Sequence, residues 1–532
     1  MNRNSSLTRR AGFPFGGSLL CALFFGLALT GAGCGGGEDS SGQLVVIGLD
    51  GATWELLQPW IDAGDLPVLG GLQDSCAWGE LQSSVPYLSP PAWTTAVTGV
   101  NPGKHAVFDF QRRIPGEKII VNETAKSRRA QPIWNVLSAV GRRSLLLNIP
   151  MTDPPDQLEG ICIAGFPHQD HTGFTYPPEL EEQLGEYELD TMEMRMEEGD
   201  EDSLLAVFER GRGMRKRIAL DWLENEPFDL FWVVFTGIDR IQHTFWKFLD
   251  PESPHYDPEV GQRYRSAIHD FWVEQDRALG QLLAAVSSEA TVLVLSDHGF
   301  GPLRYDLRVQ NLLRQPDSGV SEREANSVYS MDPGDACRLY IARRGRDVGG
   351  GWPPEQAREV VRKIAATLRS VRDPRTGQLV CDAVLEKDQV YSGPYAEKGP
   401  DLTVVPAFGY FLVEGSREPG DPGPVIVPHP KSLSGWHRMN GIYAIRGAEI
   451  SPGRKDRDSG AEITLVDLMP TLLYLLGEPI PEGLDGRLLR SWIDPAYLEA
   501  HPPQSTGPLE EDYREMTPDE LRNLRNLPYI GG

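Results

Sequence analysis

Cysteine is scarce in this chain, cationic charge is in deficit, and no apolar run is long enough to cross a bilayer. The 532 residues include 6 cysteines and no Cys-x-x-Cys pair, which argues against a thiolate metal site. Lysine and arginine total 51 against 76 aspartates and glutamates, a net charge of −25 at pH 7. Nucleic-acid phosphates call for clustered cations, so a nucleic-acid polymer is not an expected partner. Adsorption to anionic lipid is disfavoured for the same reason. The apolar run from Leu19 to Leu29 falls short of the roughly 20 residues that a membrane-spanning helix needs. No internal repeat is visible. What is present is ordinary for a globular protein: 40% hydrophobic and 24% charged residues. The length exceeds one simple core, so two domains or one large domain with insertions are expected.

The N-terminus reads as an export signal over residues 1–33. Arg9 and Arg10 precede the apolar run, and small residues follow up to Cys34. This segment carries three arginines and no acid, which leaves −28 on the remainder. Gly31-Ala32-Gly33-Cys34 resembles a bacterial lipoprotein signal, with Gly31 where Leu is usual. The resemblance implies lipidation at Cys34 and a periplasmic or cell-surface location, with the lipid as the sole membrane attachment; plain secretion is the alternative. Residues 34–43 are Gly- and Ser-rich and suit a flexible tether. Cys76, Cys162, Cys337 and Cys381 are an even set that permits disulfides without defining a pairing.

Gln43 to Leu49 is a continuous apolar run closed by Asp50 and Gly51. Such a run suits a strand buried on both faces of a parallel sheet. Asp50 then stands at the strand's carboxyl end, where open α/β sheets place their ligands. Helical and extended patterns alternate afterwards. Helices are expected over 54–63, 132–140, 202–225 and 264–287, and strands over 144–148, 228–235 and 290–296. The alternation predicts an α/β fold: a doubly wound, mainly parallel sheet with helices on both faces. Between residues 304 and 430 the pattern changes. Short strands at 338–342, 380–384 and 402–405 surround a helix at 354–370, a smaller inserted α+β subdomain. The core is expected over 44–303 and 431–495, with an apolar helix at 463–476. A polar tail covers 496–532, with Leu521, Leu524, Leu527 and Tyr529 as docking candidates.

Ser89-Pro90-Pro91-Ala92-Trp93 opens a short helix, expected over Ala92–Val97 and stopped by Gly99 and Pro102. Ser89 is either an ordinary N-cap or a group held at the positive end of the helix, where a phosphate or sulfate would also sit. Three further clusters weigh on that choice. Asp239 and His243 stand four apart just beyond a strand, a spacing that puts both on one helical face. Asp297 and His298 end another strand. His437 lies in Gly435-Trp-His-Arg-Met-Asn-Gly. Each has a bland reading as cap, surface pair or structural histidine. Together with Asp50 and Ser89 they make seven polar groups, enough for two ions at three or four ligands each. Carboxylates and imidazoles without thiolates fit two divalent ions, zinc or manganese.

The order and spacing of these groups resemble the alkaline phosphatase superfamily, in particular its type I phosphodiesterase/nucleotide pyrophosphatase branch with its bacterial phosphohydrolases. The stretches that carry the resemblance are Pro91-Ala-Trp-Thr-Thr, Thr98-Gly-Val-Asn-Pro-Gly-Lys-His, Asn148-Ile-Pro-Met-Thr-Asp-Pro-Pro, His437-Arg-Met-Asn-Gly-Ile and Asp467-Leu-Met-Pro-Thr-Leu-Leu. The resemblance runs from about Leu44 to Leu489. It implies Ser89 as nucleophile, one ion on Asp50, Asp297 and His298 with Ser89 as a further ligand, and a second on Asp239, His243 and His437. Two positions depart from the branch. Its phosphodiesterases usually have Thr as nucleophile, and its nucleotide pyrophosphatases carry Asn where this chain has Ala92.

The resemblance implies an exported metal-dependent hydrolase of small phosphate mono- or diesters, acting through a phosphoseryl intermediate. A phosphoryl transferase or mutase would use the same intermediate. A sulfatase shares the Ser-x-Pro spacing, but the sulfatase pattern has Arg at the position of Trp93. A surface binding protein without activity is the remaining alternative, weakened because all seven positions are filled.

Overall fold

A computed structural model describes residues 42–509 apart from 115–116, 118–119, 169–170, 191–199, 419–421, 431–432, 456 and 459–460. The export signal, Cys34 and the docking candidates of the tail lie outside the described residues. The architecture is the expected α/β type, built on a nine-stranded sheet. From one edge to the other its strands are Gly453–Arg454, Ala77–Gln82, Asn440–Arg446, Thr291–Leu295, Leu44–Leu49, Leu230–Phe235, Ser144–Leu147, Gly160–Ile163 and Thr175–Tyr176. The five from Thr291–Leu295 to Gly160–Ile163 are parallel. Antiparallel pairing enters beyond them, where Asn440–Arg446 joins Thr291–Leu295 and where Thr175–Tyr176 joins Gly160–Ile163.

The alternation along Leu44–Leu49 explains why the run is apolar throughout. Val45, Ile47 and Leu49 enter one core with Leu57, Phe245, Trp272 and Leu279. Leu44 and Val46 enter a second core on the opposite face with Trp93, Trp134, Leu468 and Leu472. Burial of both faces is what a parallel strand with helices above and below requires. A third apolar cluster lies on the chain between Leu303 and Leu412. It joins the helix Pro354–Ser370 to a four-stranded sheet ordered Val328–Tyr329, Arg338–Ile341, Leu402–Pro406, Cys381–Glu386. The strand Gly299–Arg308 carries the chain from the first core toward this cluster.

Several local expectations need correction. The helix at Ser89 is longer than the apolar pattern suggests and runs Ser89–Thr98, because the two prolines occupy its first turn rather than preceding it. The long helix expected over 264–287 is present as Ala267–Ala285, starting three residues later, and a separate short helix, Pro258–Tyr264, precedes it. The apolar stretch after Ile463 is a 3-10 turn, Leu465–Asp467, followed by the helix Leu468–Leu475. Cys76, Cys162, Cys337 and Cys381 are all free and buried. Cys76 belongs to the first core, Cys162 to the second, and Cys337 and Cys381 to the third. They act there as small apolar side chains.

Register fixes where the ligands emerge. Leu49 stands beside Phe235, and Gly48 beside Leu295. The three central strands therefore end at one level. Gly48 is needed for close approach: a Cβ there would lie 2.6 Å from the Trp93 ring and 2.9 Å from Val234. Gly48→Ala is expected to destabilise the protein by about 1–3 kcal/mol through overpacking. The check is a lower urea midpoint at unchanged slope; an unchanged midpoint would mean that Trp93 yields without cost.

Candidate metal centre

Asp50 follows the central strand, Asp297 and His298 follow its neighbour on one side, and the helix Gly237–Leu249 starts just past its neighbour on the other. That helix places Asp239 and His243 one turn apart on one face. His437 arrives on the strand Gly435–Arg438, paired antiparallel with Gly299–Arg308 so that His437 stands beside Phe300. The structure thus brings all seven predicted groups to the carboxyl ends of three adjacent strands. All seven are buried.

They form two triads, Asp50–Asp297–His298 and Asp239–His243–His437, each with its ligand atoms within 4.8 Å of one another. In the first, His298 Nε2 lies 3.5 Å from Asp50 Oδ1 and 3.4 Å from Asp297 Oδ2. In the second, His437 Nε2 lies 3.1 Å from Asp239 Oδ1 and 3.0 Å from His243 Nε2. His243 Nε2 is 3.3 Å from Asp239 Oδ1. The triads adjoin: the rings of His298 and His437 stack with centroids 3.7 Å apart.

Backbone carbonyls orient two of the imidazoles. His243 Nδ1–H donates to the Gly435 carbonyl at 2.9 Å, and His298 Nδ1–H to the Gly299 carbonyl at 3.0 Å. Each leaves a bare Nε2 turned into its triad, the arrangement of a metal-ligating histidine. Gly435 is required for the first of these bonds, since a Cβ would lie 2.5 Å from the Gln242 carbonyl oxygen.

Electrostatics sharpen the picture. Burial, then the charges of Asp297 and Asp239, push the Asp50 carboxyl well above the ordinary carboxylate range. Burial and Asp239 push Asp297 up in the same way. Burial also opposes the charge of Asp239, but His243 and His437 beside it hold its carboxyl well below the ordinary range. Burial, with His437 close by, drives His298 well below the usual histidine value, and burial lowers His437 too. Asp50 Oδ1, both carboxylate oxygens of Asp297 and His437 Nδ1 are buried without a hydrogen-bond partner. The carboxylate oxygens left in this state are costly unless a cation takes them up, and His437 Nδ1, the ring nitrogen away from the triad, is a donor without a partner.

These observations fit divalent ions. Ligand atoms around one tetrahedral ion with bonds of about 2.0–2.2 Å stand roughly 3.3 Å apart. The spacings within both triads match that figure.

Ser89 is at the first position of its helix, and Leu88 is the N-cap. The reading of Ser89 as an ordinary cap is therefore replaced. Its Oγ lies 3.3 Å from His298 Nε2, at the mouth of the first triad. Because Pro90 and Pro91 have no N–H, the first turn offers far fewer free donors than a typical helix start. The helix dipole remains, but an anion there has to be held mainly by other groups.

Sequence reasoning missed the residues that brace the ligands. Trp93, one turn after Ser89, donates its indole N–H to Asp50 Oδ2 at 3.1 Å. Gln242 donates to the Gly51 carbonyl at 3.0 Å and ties the Asp239 helix to the central strand. Asn148, in left-handed conformation at φ 59°, donates to the Val234 carbonyl at 3.0 Å. Arg240 stands 3.6 Å from Asp239 Oδ2. The i+4 spacing of Ser89 and Trp93 was the one readable signal; the other bonds join segments remote in sequence.

Buried acids and imidazoles gathered at the carboxyl ends of the central strands of such a sheet agree with the resemblance to the alkaline phosphatase superfamily. Within it the chain belongs to the type I phosphodiesterase / nucleotide pyrophosphatase family, whose model matches residues 44–437. It is by that membership a hydrolase of phosphoric ester bonds. No curated protein matches the chain significantly. Solved structures agree on the fold. Human ectonucleotide pyrophosphatase/phosphodiesterase 5 aligns at 14% identity and a TM-score of 0.51, over 84% of this chain and 97% of that one. Phosphonoacetate hydrolase from Sinorhizobium meliloti 1021, in complex with phosphonoformate, aligns at 15% identity and a TM-score of 0.52, over 82% and 95%.

Proposed function

We propose that the chain is an exported hydrolase of small phosphate esters that uses Ser89 as nucleophile beside two divalent ions. The observation that carries this reading is the position of Ser89 Oγ, 3.3 Å from His298 Nε2 and beside a triad in which Asp50 Oδ1 and both oxygens of Asp297 have no hydrogen-bond partner. Asp50, Asp297 and His298 would hold one ion, with Ser89 as a further ligand. Asp239, His243 and His437 would hold the other. Zinc suits this nitrogen and oxygen donor set, and manganese is the alternative. When bound, the ions neutralise charge on the phosphoryl oxygens and favour the serine alkoxide.

The chain's own groups set up the rest. The helix Ser89–Thr98 is buried along its whole length, so Ser89 is held on a rigid element. Its Oγ gives up its proton to solvent and forms a bond to phosphorus as the bond from phosphorus to the leaving oxygen breaks, and the leaving group is protonated from solvent. Water then cleaves the phosphoseryl ester, returns a proton to Oγ and releases phosphate from a monoester or a phosphate monoester from a diester. Trp93 holds Asp50 by its indole N–H, and the carbonyls of Gly299 and Gly435 keep His298 and His243 in the tautomer with bare Nε2. Trp93 also weighs against a sulfatase: the side chain at that position is buried against Gly48 and bonded to Asp50.

Ser89→Ala is expected to abolish turnover of p-nitrophenyl phosphate mono- and diesters while metal content stays near two per chain. His243→Ala is expected to lower content to about one per chain, since one ligand triad is broken and the other is untouched. Its turnover should fall by orders of magnitude. Elemental analysis after dialysis, paired with initial rates, decides the matter. Near-parent turnover in Ser89→Ala, or retention of both ions in His243→Ala, would overturn the assignment.

For location, the Arg-flanked apolar run and Cys34 support a lipid-anchored mature protein in the periplasm or on the cell surface. Among the described residues no helix is long and apolar enough to cross a membrane. Cys34→Ser is expected to move the protein to the soluble fraction or leave its precursor uncleaved. An intact mass showing an unmodified chain that starts at another residue would refute the anchor.

A further inference from the structure

A cavity of about 640 Å³ lies between the segment Ala106–Arg129 and the chain after Tyr329, and none of the seven metal-centre residues lines it. Its walls carry seven arginines and one lysine against three acids. That local excess of positive charge stands in a chain whose net charge is −25. The acids are already engaged. Glu123 faces Arg112 at 3.3 Å, Asp347 faces Arg113 at 3.4 Å and Arg346 at 3.0 Å, and Glu397 faces Arg343 at 3.0 Å. Arg344 and Arg358 line the cavity, are exposed and make no ion pair among the described residues.

Two features stiffen the wall. Arg113 lies over the Tyr329 ring at 4.3 Å, and Tyr329 stacks on Tyr340 at 5.4 Å. A guanidinium held flat on an aromatic face has lost its conformational freedom before any ligand arrives. The 17-residue helix Pro354–Ser370 begins at the cavity, with Pro354 and Arg358 both in its wall, so its positive end adds to the field. A volume near 640 Å³ is that of a small-molecule pocket. Forked guanidiniums on several sides match planar carboxylates and phosphates.

We propose that this cavity is a second, separate binding site, for a small polyanion bearing several phosphate or carboxylate groups. The site stands on its own charge and shape and does not depend on the reaction at the metal centre.

The test is titration calorimetry on the metal-loaded full-length chain, with tripolyphosphate and benzene-1,3,5-tricarboxylate as probes. The phosphate and carboxylate arms distinguish the two sources of the anion. At least one probe is expected to bind, with affinity that falls as salt rises. The double variant Arg344→Ser/Arg358→Ser removes two exposed side chains and leaves every buried pair intact. It is expected to weaken binding roughly tenfold or more at unchanged thermal stability and metal content. Arg112→Gln is expected to weaken it as well, although it strands the buried Glu123, so the exposed pair is the decisive variant. His243→Ala, at the metal centre, should bind the probe as the parent does. The proposal fails if neither probe binds, if the double variant binds unchanged, or if binding is lost in His243→Ala.

Discussion

Three carboxylates, Asp50, Asp239 and Asp297, are buried together where three parallel strands and a helix start converge. Nothing in the surrounding protein satisfies them fully. Both oxygens of Asp297 and one of Asp50 have no hydrogen-bond partner, and burial, then the charge of the neighbouring acids, raises the carboxyls of Asp50 and Asp297. A lone buried carboxylate of this kind costs several kcal/mol. Positive charge among the acids relieves that cost, and Arg240, 3.6 Å from Asp239, supplies part of it, while burial drives His298 and His437 toward the neutral form. A metal ion would satisfy the constraint, and the two triads are where the buried acids and imidazoles could hold one.

Two of the three histidines, His243 and His298, are oriented by backbone carbonyls rather than by other side chains. Gly299 and Gly435, whose carbonyls accept the two Nδ1–H bonds, lie at opposite ends of one short ladder, Gly299–Pro302 against Gly435–Arg438. The ladder that delivers His437 therefore also brings the Gly435 carbonyl to His243, while His298 bonds the carbonyl of the residue after it. A change in its register would displace His437 and the acceptor of His243 at once. This coupling explains why a small accessory sheet, outside the nine-stranded one, matters to the chemistry.

The main sheet was legible in the sequence because its central strands are unbroken apolar runs ending in Asp or in Thr-Gly, and fully buried parallel strands have no other way to read. The seven polar groups were legible for a related reason: each sits directly after such a run or on a distinctive turn. What could not be read is whatever depends on pairing across long separations. The indole of Trp93 reaches Asp50 from 43 residues away, and Gln242 reaches Gly51 from 191. The start of the helix at Ser89 was misjudged because Pro90 and Pro91 look like a barrier to helix when placed before it and like a permissive first turn when placed within it. The Arg-lined cavity was invisible to composition, since a chain with a large acidic excess gives no hint that a handful of arginines converge.

The strand Gly299–Arg308 does two jobs at once. It begins one residue after His298, and it pairs with Gly435–Arg438 near its start and with Ile426–Pro428 and Gly409–Val413 farther along. The chain from Val309 to Ser434 is therefore a long excursion whose two ends are clamped by a four-residue ladder beside the metal centre. The entropy of closing such a loop grows only slowly with its length. An excursion of this size thus adds little cost beyond what a short loop would, provided it folds on its own apolar cluster, as Leu339, Ile364 and Leu402 do here. The excursion also leans on the core apart from the ladder's own hydrogen bonds, through Arg338 on Asp109, Tyr395 on the Gly103 carbonyl and Phe411 against Trp436, so the basic cavity is walled by both parts of the chain.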